Sequence, residues 1–276
     1  MIVMNGRELT QGHFPDGTLS FKLPEDLVWD EEGQIIEWKY ESDAELFSLI
    51  CLKKWIDERM STKAWLVLRY LPHARMDRTE DFFDVFTLKY FCQVINDLNF
   101  TQVCVLDPHS SVSTALLDRV VAVSPDNLIH EALERSEAEV VCFPDQGALK
   151  RYSKMIDNRI AVYCQKRRDW ATGKILGLDL IDPGDDVKGR NILIVDDISS
   201  RGGTFYYTAN KLLEAGAAKV SLYVTHCEDT IYQGEFYNDL VKTGAVKKVY
   251  TTQSLLKEVK DGVEIVICNP EKDSQQ

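Results

Sequence analysis

Two adjacent aspartates, Asp196 and Asp197, end an apolar run and are followed by a short loop of hydroxyl-bearing residues and glycines. Carboxylates in this place accept hydrogen bonds from sugar hydroxyls or position a hydrated Mg²⁺. Backbone N–H groups of a glycine-rich turn, with serine and threonine hydroxyls, bind an anion such as phosphate. The alternative is an ordinary acidic turn. We predict a ribose-phosphate site made of Asp196, Asp197, Ser199, Ser200, Arg201, Gly202, Gly203 and Thr204.

This loop needs a strand before it and a helix after it. Residues 192–195 have the β-branched composition of a buried parallel strand, and residues 205–215 carry apolar residues at helical spacing. Ligands of open α/β sheets bind at the carboxyl ends of strands, so the pattern places the loop where a ligand would bind.

Strand-like and helix-like segments alternate along the rest of the chain. Strands are predicted at 65–68, 102–106, 139–143 and 220–224, and helices at 82–98, 112–119 and 147–156. This alternation predicts an α/β fold of two similar halves, each a mainly parallel sheet flanked by helices. A Ser-Pro-Asp-Asn sequence at 124–127 predicts halves of 1–124 and 125–276. About the last 20 residues are expected to return to the first half. Alternation at 18–23 predicts an antiparallel ribbon.

Composition limits the classes of partner. The 276 residues are 45% hydrophobic and carry a net charge of −12, which argues against nucleic acid or anionic membrane as partners. The chain has no long apolar run, its first residues do not resemble a secretory signal, and its seven cysteines are scattered. We therefore expect a cytoplasmic protein with reduced thiols. An anionic ligand must be met by local positive charge.

Two basic clusters could supply that charge. One includes Arg75 and Arg78, and the other runs from Lys166 to Arg168. Short basic clusters are usually solvated surface. Each of these follows a strand-like run, however, so each is expected where loops gather at the end of a sheet.

With these residues in view, the chain resembles the ribose-phosphate pyrophosphokinases, also called phosphoribosyl pyrophosphate synthetases. Phe14-Pro-Asp-Gly17 is similar to the family's adenine-contacting loop, and Tyr70 to Arg78 to its Tyr-x-x-Tyr-x-Arg-Gln-Asp-Arg segment. Further matches follow in the family's order. They are Asp107-Pro-His109, Phe143-Pro-Asp-Gln-Gly147, Lys166-Arg-Arg168, Asp186-Val-Lys-Gly-Arg190 with the Asp-Asp loop, and Thr225-His226.

The resemblance implies transfer of the β,γ-diphosphate of ATP to the anomeric 1-hydroxyl of a ribosyl 5-phosphate acceptor, with release of AMP. Lys166 and Arg168 would be catalytic, closing over the transferring phosphates. His109 and Asp145 would hold Mg²⁺. The residues implied to bind ATP are Phe14, Asp16, Arg75, Asp77 and His109. From the residues alone, Phe14 could equally be a core aromatic and His109 a structural histidine. The resemblance also implies a homo-oligomer, a dimer or a hexamer.

The phosphate loop departs from the family pattern. Arg201 stands where the family usually has a small residue, and the carboxylate at position 200 is replaced by serine. A guanidinium fork suits an acceptor with more than one phosphate, such as ADP-ribose. In this loop the chain resembles phage members of the family that make ADP-ribose 1-pyrophosphate for NAD salvage. Arg201 could also point to solvent, with ribose 5-phosphate as the acceptor. The indole of Trp170 could stack on a second adenine.

Two other functions compete with this hypothesis. A phosphoribosyltransferase would have a single sheet with a base-binding hood, which the layout in two halves does not favour. A catalytically silent regulatory homologue would lack catalytic-loop or metal residues, and this chain has both sets.

Overall fold

The computed structural model describes residues 1–60, 62–168 and 175–267. The chain divides between Ser124 and Pro125 into two compact units. Each unit has a mainly parallel sheet flanked by helices, which confirms the α/β fold class. None of the helices within the described ranges is long and apolar enough to cross a membrane.

The first unit is built on a six-stranded sheet of order β2-β1-β5-β6-β7-β8. Strands β5 to β8 are parallel, whereas β1 pairs antiparallel with β2 and β5, and β3 and β4 form a separate hairpin. The elements are β1 Ile2–Met4, β2 Arg7–Leu9, β3 Gln11–His13, β4 Leu19–Phe21, β5 Gly33–Trp38, α1 Ala44–Arg59, β6 Lys63–Leu68, α2 Thr87–Asp97, β7 Gln102–Leu106, α3 Ser111–Leu116 and β8 Val120–Val123.

The second unit is built on a seven-stranded sheet of order β11-β10-β9-β12-β13-β14-β15, in which only β11 runs antiparallel. Its elements are α4 Asp126–Ser136, β9 Val140–Phe143, α5 Gln146–Tyr152, β10 Ile160–Arg168, β11 Ile175–Ile181, β12 Asn191–Ser199, α6 Gly203–Glu214, β13 Lys219–Cys227, a 3₁₀ segment Asp229–Gln233, a π-helical segment Phe236–Val241, β14 Val246–Thr251 and β15 Val263–Ile265.

The strand order of the second sheet creates a switch point. The chain leaves β9 through α5 to β10 on one side, and returns as β12 on the other side of β9. Loops that leave the carboxyl ends of β9 and β12 therefore diverge, and the crevice between them is where α/β sheets bind ligands. The four residues of β9 and residues 192–195 of β12 are buried, because parallel strands are covered on both faces.

Several sequence predictions need correction. α2 begins at Thr87 rather than at residue 82, because the Asp84 carboxylate accepts backbone hydrogen bonds from Glu80 and Asp81 and so holds an acidic loop. α3 ends at Leu116 rather than at residue 119, and α5 ends at Tyr152 rather than at residue 156. β10 extends through Arg168 because β11 pairs with it, so Lys166 and Arg168 lie in a strand rather than in a loop.

The expected return of the last residues to the first unit is wrong for the part that is described. β15 pairs in parallel with β14 at the edge of the second sheet. Val263 and Val266 are 5% and 1% exposed, and burial of these side chains holds the segment in place.

Candidate functional site

The acidic pair lies within the last four residues of β12, which continues through Ser199 instead of ending at residue 195 as predicted, because Ile198 and Ser199 still pair with β13. Asp197 is 3% exposed, and the Asp196 side chain is mostly buried. Burial raises the pKa of Asp196 well above its usual range, and the neighbouring charge of Asp197 raises it further. Two carboxylates are thus held side by side, largely out of water, where only a charged or hydrogen-bonding partner makes them tolerable.

The structure supplies that partner from α5. Arg151 Nη2 donates to Asp197 Oδ1 at 2.7 Å and to Asp196 Oδ1 at 3.3 Å, and Asp196 Oδ1 also accepts from the Asp197 backbone N–H at 3.0 Å. The Arg151 charge opposes the upward shift of the Asp196 pKa. Sequence reasoning missed Arg151, because it stands 45 and 46 positions from the two aspartates and belongs to no pattern that pointed to them.

The loop after the acidic pair leads directly into α6. Gly202 has a φ of +77° and precedes the first turn of the helix, which has no side-chain cap. The first N–H groups of α6 are therefore not satisfied by a cap, and the positive end of the helix dipole lies at the same place. The start of α6 therefore has N–H groups that could bind an anion.

Two glycines fix the conformation of the loop. A Cβ atom at Gly202 would come within 2.8 Å of Phe236 Cβ, and one at Gly234 would come within 1.8 Å of the Arg201 carbonyl oxygen. The loop is thus packed directly against the 3₁₀ and π-helical segments that follow β13. By contrast, a Cβ atom at Gly203 would meet nothing within 4 Å.

The hydroxyls of the loop differ in what they face. Ser199 is 1% exposed and its hydroxyl donates to the Ser200 carbonyl, so it supports the loop itself. Ser200 Oγ lies 3.1 Å from Thr230 Oγ1, which donates to Glu228. Since Thr230 has one hydroxyl proton, Ser200 is the donor of the pair and must rotate to donate to a ligand. Only Thr204 is exposed among the predicted hydroxyl donors.

Arg201 is exposed at the same end of α6. Its backbone is held against Gly234, while no hydrogen-bond or ion-pair partner for its guanidinium is found in the described part of the chain. The exposed Arg201 guanidinium can therefore bind an anionic ligand at the start of α6.

Asp145 follows β9, on the other side of the switch point. It is the N-cap residue of α5, and its Oδ1 accepts the Ala148 backbone N–H at 3.0 Å. One carboxylate oxygen thus orients the helix that carries Arg151.

The first unit gathers a second set of predicted residues at the ends of β6 and β7. Asp77 is 5% exposed, and Arg78 Nε and Nη2 donate to its two oxygens at 2.7 and 3.2 Å. These hydrogen bonds lower the pKa of Asp77, and the nearby His109 contributes to the same shift. Asp77 and His109 are therefore brought together. Arg75 lies on the same loop and is exposed.

The turn that carries His109 begins with a residue in an unusual backbone conformation. Asp107 follows β7 directly, is 5% exposed, and has a φ of 40°, in the left-handed region that a non-glycine residue rarely adopts. Such strained backbone concentrates at functional sites.

The hairpin of β3 and β4 carries Phe14 and Asp16 at its tip. Phe14 is 56% exposed, which rules out the core alternative. The Asp16 carboxylate accepts from the Thr18 hydroxyl at 2.7 Å and from the Thr18 backbone N–H at 3.0 Å, and these bonds lower the Asp16 pKa. Asp16 thus shapes a turn that presents an aromatic ring to solvent.

Three predicted residues cannot be placed in full. Trp170 lies outside the described residues, as do the side chains of Lys166 and Arg168. The backbone registers of Lys166 and Arg168 are described, and pair them with Leu178 and Ile175 of β11.

Several known proteins similar to this chain are named ribose-phosphate pyrophosphokinase. A ribose-phosphate pyrophosphokinase of Sulfurisphaera tokodaii is 26% identical over 247 residues, 88% of this chain and 82% of that protein. One from Marinomonas sp. is 29% identical over 224 residues, 79% of this chain and 70% of that protein. Ribose-phosphate pyrophosphokinase 4 of Arabidopsis thaliana is 29% identical over 210 residues, 71% and 61% of the two chains. No protein-family model matches the chain.

A solved structure agrees with the fold of the chain. Phosphoribosylpyrophosphate synthetase from Mycobacterium smegmatis superposes with a TM-score of 0.74 at 17% sequence identity, over 94% of this chain and 85% of the other. At 17% identity, this match supports the fold of the chain and nothing beyond the fold.

Proposed function

The chain belongs to the ribose-phosphate pyrophosphokinase family of diphosphotransferases, and we propose that it transfers the β,γ-diphosphate of ATP to the anomeric 1-hydroxyl of a ribosyl 5-phosphate acceptor. AMP is the other product. The observation that carries this proposal is the pair Asp196 and Asp197, held by Arg151 beside the uncapped start of α6. Such a site accepts sugar hydroxyls and an anion at once.

Each group of residues has a distinct role in the proposal. The oxygens of Asp196 and Asp197 accept hydrogen bonds from the ribosyl hydroxyls and orient the anomeric hydroxyl for attack on the β-phosphorus of ATP. The N–H groups of α6 and the Thr204 hydroxyl hold the 5′-phosphate. Arg75, Asp77, His109 and the hairpin residues Phe14 and Asp16 bind ATP. Lys166 and Arg168 stabilise the charge that develops on the transferring phosphates.

Mg²⁺ is the proposed cofactor. Within the described ranges, no three His, Cys, Asp or Glu side chains cluster closely enough to form a metal cage. Mg²⁺ takes most of its ligands from substrate phosphates and water, with one or two protein groups. Asp145 would supply an oxygen donor and His109 a nitrogen. When bound, the ion neutralises charge on the phosphate oxygens.

The proposed acceptor is ADP-ribose, with ribose 5-phosphate as the alternative. ADP-ribose has the same anomeric hydroxyl but carries a diphosphate at its 5′ end. Arg201 is exposed at the start of α6 and has no partner within the described chain, so its fork can take the second phosphate. A monophosphate would not need it. The product would be ADP-ribose 1-pyrophosphate, a compound suited to NAD salvage.

The test is AMP release from ATP and Mg²⁺ with each acceptor separately, with the products identified by mass. We expect faster turnover of ADP-ribose. Arg201→Met should raise the KM for ADP-ribose about 10- to 100-fold, the range of one charge-assisted hydrogen bond, and leave the KM for ribose 5-phosphate within about twofold. Lys211→Met, later on α6 and paired with Glu214, is the matched control.

Turnover of ribose 5-phosphate alone, unaffected by Arg201→Met, would contradict the acceptor assignment and leave the diphosphate transfer intact. Absence of AMP release with both acceptors would contradict the proposed activity.

The proposed homo-oligomer, a dimer or a hexamer, is supported by an exposed aromatic pair in the first unit. Phe82 and Phe83 are 94% and 87% exposed and lie edge to face at 5.5 Å. Exposed apolar patches commonly mark protein interfaces. Light scattering on the purified protein tests this, and a monomer at micromolar concentration would contradict it.

A further inference from the structure

Arg151 stands apart from the residues that the sequence patterns picked out, yet it makes charged contacts with both carboxylates of the acidic pair. A single nitrogen, Nη2, reaches Oδ1 of both Asp197 and Asp196, at 2.7 and 3.3 Å. The Arg151 side chain is 27% exposed and its guanidinium lies over the Tyr152 ring, 4.9 Å from the ring centroid. The guanidinium is therefore packed in place rather than free to move over the surface.

The contact changes what the acidic pair can do. Two neighbouring carboxylates out of water repel each other, and without a cation between them they turn apart or take up a proton. Either change alters the oxygens that face the ligand. Arg151 and the Asp197 backbone N–H both engage Asp196 Oδ1, so they fix the rotation of this carboxylate. The orientation of the pair thus depends on an element, α5, that is separate from the strand that carries it.

α5 itself is held at the switch point. Asp145 caps its first turn through Ala148, and the helix packs against β12. The Arg151 side chain thus joins the last turn of α5 to the carboxyl-terminal part of β12.

We propose that Arg151 is a positioning residue, which holds Asp196 and Asp197 in the arrangement that receives the hydroxyls of the ribosyl acceptor. This inference rests on the proposed function and names a residue that the function depends on. Arg151 acts through the two carboxylates, so its loss should affect the acceptor and leave ATP binding unchanged.

The experiment compares Arg151→Met, Arg151→Lys and Arg159→Met. Arg159 is the matched control, since its side chain is also 27% exposed and pairs with Asp157 at 3.1 Å, but it precedes β10 at the opposite end of the strands. For each protein, calorimetry measures acceptor binding in the absence of ATP, and AMP release gives the KM of each substrate. Circular dichroism checks the fold.

We expect Arg151→Met to weaken acceptor binding and raise the acceptor KM about 10- to 100-fold, with the KM for ATP within about twofold of wild type. Arg151→Lys should restore most of the affinity, because one nitrogen makes both contacts. Arg159→Met should match wild type in both KM values. If Arg151→Met does not fold, Arg151→Gln, which removes the charge but keeps a donor, provides the same comparison.

Three results would overturn the inference: unchanged acceptor binding in Arg151→Met, an equal rise of both KM values, or no rescue by lysine. Loss of turnover with normal acceptor binding would instead assign Arg151 to the transferring phosphates. If the wild-type protein releases no AMP with either acceptor, the proposed function fails; if it is active and Arg151→Met behaves like Arg159→Met, only this inference fails.

Discussion

Replacing Gly202 by alanine should destabilise the protein and the adjacent Gly203→Ala should not. Gly202 has a φ of +77°, and its missing Cβ would lie 2.8 Å from Phe236 Cβ. The left-handed backbone costs an alanine about 1–2 kcal/mol, and crowding against a packed aromatic adds about 1–3 kcal/mol. We expect the free energy of unfolding to fall by about 2–5 kcal/mol.

Gly203 is the internal control. It has no positive φ, and a Cβ there would meet no protein atom within 4 Å. The substitution should change the free energy of unfolding by less than about 0.5 kcal/mol. The open space beside Gly203 is where the proposal puts the acceptor's phosphate, however, so Gly203→Ala should raise the acceptor KM.

Urea unfolding followed by circular dichroism measures the first effect, and AMP release at varied acceptor concentration measures the second. With a slope of about 2–3 kcal/mol/M, Gly202→Ala should lower the midpoint by about 1 M. Equal loss of stability in both variants, or an acceptor KM unchanged in Gly203→Ala, would refute this account of the loop.

The remaining predictions concern the first unit. Phe14→Ala should leave the urea midpoint unchanged, since Phe14 is 56% exposed, but raise the KM for ATP about 3- to 10-fold. Phe100 is 1% exposed and serves as the buried control: Phe100→Ala should lower the free energy of unfolding by about 3–5 kcal/mol. A loss of stability in Phe14→Ala would contradict the solvent-facing role of Phe14. Asp77→Asn should lower the free energy of unfolding at pH 7 by about 0.5–1 kcal/mol. The loss is small because solvent screens the ion pair with the exposed Arg78. The folded pKa of Asp77 lies below the ordinary value of 3.8, so the stability it provides is present above that pH and lost as pH falls below it. The difference in urea midpoint between Asp77→Asn and wild type should be smaller at pH 3 than at pH 7, and an equal difference at both pH values would refute the ionic explanation.

Local sequence patterns were sufficient for the parallel core. Residues 192–195 and 140–143 are continuous apolar runs bounded by turn residues, and both form buried central strands. The loop from Ser200 to Gly203 was interpreted from its glycines, which favour a tight turn between a strand and a helix. The structure shows why glycine is needed at position 202: a Cβ atom there would lie 2.8 Å from Phe236 Cβ.

Long-range contacts decided what the patterns could not. β10 extends through Lys166 only because β11 pairs with it, and no property of residues 166–168 alone indicates that partner. α1 was not anticipated, and its low amphipathicity explains why: Glu45 and Lys53 are buried among its apolar residues through ion pairs with Met1 and Asp57. Arg151 belongs to the same class, since its proposed role depends on a contact between α5 and β12.

The most direct test of the central claim is the identity of the nucleotide formed from ATP. Phosphorus NMR of a reaction with wild-type protein, Mg²⁺ and ADP-ribose should show AMP in equal amount to a new diphosphate ester on the anomeric carbon. Formation of ADP with a monophosphorylated acceptor, or no consumption of ATP with ADP-ribose or ribose 5-phosphate, would contradict transfer of the diphosphate as a unit.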